Sequence, residues 1–215
     1  MTTRVVYLHG FASGPGSRKA QFFRQRIEEE CGIPVEVPDL AQGRFEQLTI
    51  SGQLEVAGRL LDAARPVTLI GSSMGGYLAA ILASRHPQVD RVVLLAPAFG
   101  FARRWAQSLG QERLAEWKRT GSLAVYHYGD QAERAVGYGL IEDSLRYPDY
   151  PDFQQPALIL HGRNDTVVPA AISMEFASEH PHARLHLLDS GHELLDVLDR
   201  LWAETRAFLL WSSGS

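Results

Sequence analysis

Short β-branched and aliphatic runs alternate along this chain with amphipathic helical stretches, and that alternation restricts the fold more than any other feature. Runs near residues 4–9, 34–38, 66–71, 91–96, 156–161 and 183–188 have the length and apolar continuity of strands buried on both faces. Helices are expected near 17–31, 50–64, 74–86, 169–180 and 193–211, the last with Leu194, Leu195, Leu198, Leu201, Trp202 and Phe208 at helical spacing. Such a pattern builds a mostly parallel sheet of about six strands covered by helices on both faces. With 45% hydrophobic residues in 215, the core suffices for a single α/β domain spanning 1–215. Residues 98–152 interrupt the pattern: they carry nearly half of the aromatics and lack a clean strand-helix unit. A lid-like insertion over the carboxyl edge of the sheet is the economical reading.

The third run passes through Gly71-Ser72-Ser73-Met74-Gly75 directly into a small-residue helix. This is a G-x-S-x-G turn between strand and helix, in which glycines make room for a serine held in an uncommon backbone conformation. A serine hydroxyl is a poor nucleophile near neutral pH, so the turn calls for a histidine to take its proton and a carboxylate to orient that histidine. Asp165 stands on the loop after the strand ending at His161, and His192 on the loop after the strand ending at Leu188. The loop after the fourth run, Ala96-Pro97-Ala98-Phe99-Gly100, has no carboxylate, which favours Asp165 as the acid over its other reading as a turn or helix-capping aspartate. Donors for a developing oxyanion are expected from the backbone N–H groups of Phe11 and Met74. His9 and His161 end strands before glycine and suit supporting hydrogen bonds, whereas His86, His180, His182 and His186 read as surface or packing residues.

The other signals are weaker or exclude. Gly14 and Gly16 after the first strand, with Asp39 after the second, resemble a dinucleotide-binding unit, but Lys19 replaces the third glycine, and Ser17 as a helix N-cap accounts for the loop. A net charge of -4 and a pI near 6.1 leave no electrostatic footprint for nucleic acid. No run is long and apolar enough to be an integral membrane segment. The start lacks the features of a secretory signal, and Cys31 is the single cysteine, which fits a cytoplasmic setting. Neither metal nor cofactor is called for. Arg103-Arg104 reads as a solvated surface pair, with an anionic leaving group as the alternative.

The chain resembles the α/β-hydrolase superfamily over nearly its whole length. More narrowly it resembles small bacterial esterases of the YqiA type and acyl-protein thioesterases of the ABHD10 type, through Tyr7-Leu8-His9-Gly10-Phe11-Ala12-Ser13-Gly14-Pro15-Gly16-Ser17-Arg18-Lys19-Ala20, Gly71 to Gly76, His161 to Pro169 and Ser190-Gly191-His192. That resemblance implies the α/β-hydrolase fold in a pared-down form, with Ser73 as nucleophile, Asp165 as acid, His192 as base and the Phe11 and Met74 amides as oxyanion hole. The expected activity is hydrolysis of small-molecule carboxylic esters through an acyl-enzyme. Acyl thioesters are the alternative, and a non-catalytic small-molecule receptor on the same fold is the more distant one. Trp105, Trp117 and Tyr128 are expected to line an apolar substrate pocket under the insertion. Oligomeric state is left open.

Overall fold

The computed structural model describes residues 4–61 and 65–210. Its elements in chain order are β1 (Arg4–Leu8), α1 (Arg18–Cys31), β2 (Val35–Glu36), α2 (Ile50–Gly58), β3 (Val67–Ser72), α3 (Met74–Arg85), β4 (Val89–Leu95), α4 (Phe101–Thr120), β5 (Ser122–His127), β6 (Ala132–Gly137), α5 (Gly139–Ser144), β7 (Ala157–Gly162), α6 (Ala170–Glu179), β8 (Ala183–Leu188) and α7 (Leu198–Leu210). Six strands form one parallel sheet in the order β2-β1-β3-β4-β7-β8. The alternating residues of these strands feed two cores. Leu8, Leu69, Leu94 and Ile159 pack with α2, α3 and α6 on one face, and Tyr7, Ile70, Leu95 and Leu160 with α1 and α7 on the other. The protein therefore has the α/β-hydrolase fold expected for it.

Strand order sets where a site can form. The chain runs outward from β1 to β2 in one direction and from β3 to β4, β7 and β8 in the other. Loops leaving the carboxyl ends of β1 and β3 consequently diverge and open a crevice. Residues Ser73 and Phe11 lie on those two loops.

Several boundaries differ from those expected. The helix expected over 50–64 ends at Gly58, with residues 62–64 outside the described ones. The last helix begins at Leu198, because Leu194 takes a left-handed conformation (φ 55°) and a single 3-10 turn (Leu195–Val197) follows; Trp211 lies outside the described residues. Ser17 stands at the N-cap of α1 but makes no side-chain capping bond. The largest difference is in the insertion, which is regular: α4, the antiparallel hairpin β5-β6 and α5 fill it. Gly110, at φ 74° and ψ 163°, kinks α4 in its middle and divides its apolar positions between two directions, which blurs the helical period in the sequence.

Candidate active site

Ser73 occupies the turn between β3 and α3 at φ 53° and ψ -115°, a conformation sparsely populated by residues with a Cβ. The flanking glycines explain how the turn closes. A Cβ at Gly75 would lie 2.0 Å from the Leu8 carbonyl oxygen, and one at Gly71 would lie 2.2 Å from that of Gly75. Backbone bonds then fix the turn, as Ser73 N–H donates to Leu95 O (2.8 Å) and Ser73 O accepts from Ala98 N–H (3.0 Å). Its hydroxyl is left to project from the end of the strand.

The loops after β7 and β8 are laced together by Arg163 N–H donating to Leu188 O (2.8 Å) and Asn164 N–H to Ser190 O (3.0 Å). This brings Asp165 to His192, and His192 to Ser73. His192 Nε2 lies 3.1 Å from Ser73 Oγ, and its Nδ1 lies 2.7 Å from Asp165 Oδ2. With the carboxylate as acceptor, Nδ1 carries the proton and Nε2 is free to accept from the serine hydroxyl.

Asp165 is buried, yet both its oxygens are fully engaged. Oδ1 accepts from the N–H groups of Val167 and Val168, each at 2.8 Å, and Oδ2 accepts from His192 and from His161 Nε2 (3.1 Å). Burial pushes the carboxyl up, but the bonds from His161, His192 and Val168 outweigh it and hold the group well below the usual carboxylate range. His161, itself fully buried, is oriented by Ser173 Oγ at 2.7 Å from its Nδ1. The loop aspartate is thus fixed from four directions and stays ionised.

Near Ser73, the Gly10-Phe11 peptide approaches closely: a Cβ at Gly10 would sit 3.5 Å from Ser73 Cβ. His9 sets its plane. Leu40 N–H donates to His9 Nε2 (3.3 Å), so Nδ1 carries the proton and donates to Gly10 O (3.0 Å). Gly10 C=O and Phe11 N–H belong to one peptide unit, so orienting the carbonyl orients the amide. Burial lowers the His9 pKa, with Gly10 and Asp39 acting in the opposite direction. Met74 opens α3, where a first-turn N–H has no intrahelical acceptor. This supporting part of His9 had a sequence signal only in its position at a strand end.

Two cavities meet at Ser73, His192 and Phe11. The smaller, about 320 Å³, is walled by Met74, Phe101, Trp105, Val125 and Val168, with Arg104 among them. The larger, about 760 Å³, is walled by Tyr7, Lys19, Ser72, Phe45, His127 and Tyr128. Of the residues expected to line a substrate pocket, Trp105 borders the smaller cavity and Tyr128, 66% exposed on the hairpin, the larger. Trp117 borders neither. It is 1% exposed, its indole N–H donates to Val136 O (2.9 Å), and its ring packs edge-on against Trp105 and Tyr138, so it is core beneath the insertion. The arginine pair also splits. Arg103 is an exposed partner of Asp149, while Arg104 turns inward and donates to Phe99 O (2.8 Å) and Val167 O (3.3 Å).

Asp39 serves its own turn, with Oδ1 accepting from Ala41 N–H and Oδ2 from Gly43 N–H, both at 3.1 Å. Among the described residues no group of three or more His, Cys, Asp or Glu side chains is placed to hold a metal ion. Nor is any helix among them long and apolar enough to cross a membrane.

Comparison with known proteins places this geometry in context. The chain is similar to 2-hydroxymuconate semialdehyde hydrolase of Pseudomonas putida, 26% identical over 229 residues, spanning 87% of this chain and 79% of that one. In structure it is similar to mouse alpha/beta hydrolase domain-containing protein 10, with a TM-score of 0.82, 20% identity, and 97% and 90% of the two chains covered. Est1E from Butyrivibrio proteoclasticus, solved with ferulic acid bound, gives a TM-score of 0.82 at 19% identity, over 97% of this chain and 88% of that one. These two likenesses are likenesses of fold. The chain belongs to the family described as Uncharacterised protein family (UPF0227), whose model matches residues 4–209.

Proposed function

We propose that this member of the family is a serine hydrolase that cleaves carboxylic esters through an acyl-enzyme on Ser73. The observation that carries the reading is the continuous hydrogen-bonded line from Ser73 Oγ through the His192 ring to a buried, ionised Asp165. As Ser73 attacks an ester carbonyl, its proton passes to His192 Nε2, and Asp165 stabilises the imidazolium that forms. The oxyanion sits between the Phe11 and Met74 N–H groups. The leaving alcohol takes the proton from His192, and a water activated by the same nitrogen then releases the acid. Hydrolysis named in the Pseudomonas putida relative supports the second half of this sequence. The insertion at 98–152 covers Ser73 as a lid, and the apolar cavity beside Trp105 takes the acyl group.

A fluorophosphonate probe tests the nucleophile: wild type is expected to be labelled at Ser73, and Ser73→Ala to be unlabelled while keeping its circular dichroism. Labelling at another serine overturns the assignment. A chain-length series of paired oxygen and thiol esters, read as kcat/KM, separates the neighbouring readings. Preference for thiol esters makes the protein an acyl thioesterase, and saturable binding without turnover makes it a receptor.

A further inference from the structure

The larger cavity holds charge that ester hydrolysis does not use. Lys19, in the first turn of α1, is only 8% exposed, shares that cavity with Ser73 and His192, and has no ion-pair partner among the described residues. An ammonium so placed is costly unless something pairs with it. Burial lowers its pKa, while Glu193 on the exposed rim and Asp165 act in the opposite direction without reaching ion-pair distance. Arg18 and Glu193 stand exposed at its rim, and two other charged groups of its wall are engaged elsewhere. Arg134 pairs with Glu46 and Asp130, and both oxygens of Asp39 are taken by backbone N–H groups. In the same wall Tyr7 is fully buried, with its hydroxyl against the Ser72 side chain. Lys19 thus brings to the cavity beside Ser73 a largely buried cation that no carboxylate of the described residues pairs with, an arrangement that favours an anion from outside.

We infer that this cavity is an anion subsite, in which Lys19 holds a carboxylate or phosphate carried on the leaving-group side of the ester. The inference rests on Ser73 as nucleophile. Because the apolar cavity on the other side of Ser73 suits an acyl chain, the alcohol portion falls on the Lys19 side. When the Ser73 Oγ to carbonyl carbon bond forms and the ester C–O bond breaks, the leaving oxygen takes its proton from His192. The departing alcohol keeps its anion and its hold on Lys19.

The probes are the butyryl ester of 3-hydroxybenzoate and the same ester of methyl 3-hydroxybenzoate, alike except for one charge. Wild type is expected to prefer the carboxylate in kcat/KM by about ten- to hundredfold, the range for a hydrogen bond to a charged group. Lys19→Met should bring the ratio near one whatever happens to the absolute rate, and Lys19→Arg should keep it well above one. A wild-type ratio near one, or a ratio unchanged in Lys19→Met, overturns the subsite, and the first criterion holds even if that variant does not fold. Calorimetric titration of benzoate and of phenyl phosphate into Ser73→Ala protein, with and without Lys19→Met, tells the two anions apart. It also separates failures: Lys19-dependent binding with no turnover of either ester removes the hydrolase reading and keeps the subsite. Equal turnover of both esters without anion binding removes the subsite alone.

Discussion

Most of the hydrogen bonds that hold Asp165 come from groups other than His192. Its two oxygens accept four hydrogen bonds, only one of them from His192, so the carboxylate is neither free to rotate nor inclined to take a proton. Replacing it by asparagine removes the charge and turns part of the group into a donor facing donors. Asp165→Asn is therefore expected to lower kcat at neutral pH by about 10³- to 10⁴-fold with little change in KM. Asp39→Asn and Asp189→Asn should keep most of their kcat, since Asp39 serves a turn and Asp189 accepts from Asn164 at the surface. Steady-state kinetics of the three variants decide the matter. If Asp165→Asn stays near wild type while either of the others collapses, a different carboxylate orients His192.

Within the insertion, α4 carries two tryptophans with opposite fates. Trp105 sits before the Gly110 kink and borders the apolar cavity, touching Phe11 and Phe101, whereas Trp117 sits after it and is sealed against Val136 and Tyr138. The hairpin is tied down at its tip by Tyr128 N–H donating to Ala12 O (2.7 Å), so the insertion meets the β1–α1 loop directly. Trp105→Ala is expected to shift acyl-chain preference mainly through KM, by about 1 to 3 kcal/mol for long chains, with short activated esters keeping much of their kcat. Trp117→Ala should instead destabilise the fold by about 3 to 5 kcal/mol in urea titration, with no change in chain-length preference. An equal loss of kcat on every ester for folded Trp105→Ala would contradict the lid reading and assign Trp105 to the reacting centre.

The molecule as a whole should weaken in acid for identifiable reasons. His9, His86 and His182 all have pKa values lowered in the folded state, burial being the largest cause in each. The unfolded chain then binds their protons first, near pH 6.5, and stability falls as pH drops from there toward the folded values. Asp165 acts in a lower window. Its folded pKa lies below the ordinary 3.8, so its contribution is present above that value and disappears as pH falls further. Urea titrations between pH 8 and pH 5 are expected to show declining stability on the acid side, with a shallower slope in His9→Gln. A slope that His9→Gln leaves unchanged would mean that His9 does not carry its share.

Features that depend on near neighbours in the chain were legible from residues alone. The six sheet strands follow from apolar runs that must be covered on both faces, and the Ser73 turn follows from glycines at positions where a Cβ would strike backbone. Loop ends of β7 and β8 pointed to Asp165 and His192 because a parallel sheet puts all such ends on one edge. What packing against distant segments decides had no such signal. Charged residues mask the helix of the insertion, and nothing local distinguishes Trp117 from Trp105, since burial depends on which way the chain leaves Gly110. Lys19 reads as an ordinary residue of an amphipathic helix. It shares a cavity with Ser73 because the loop after β8, bearing His192 and Glu193, comes to the first turn of α1, a meeting of segments far apart in the chain that no local pattern records.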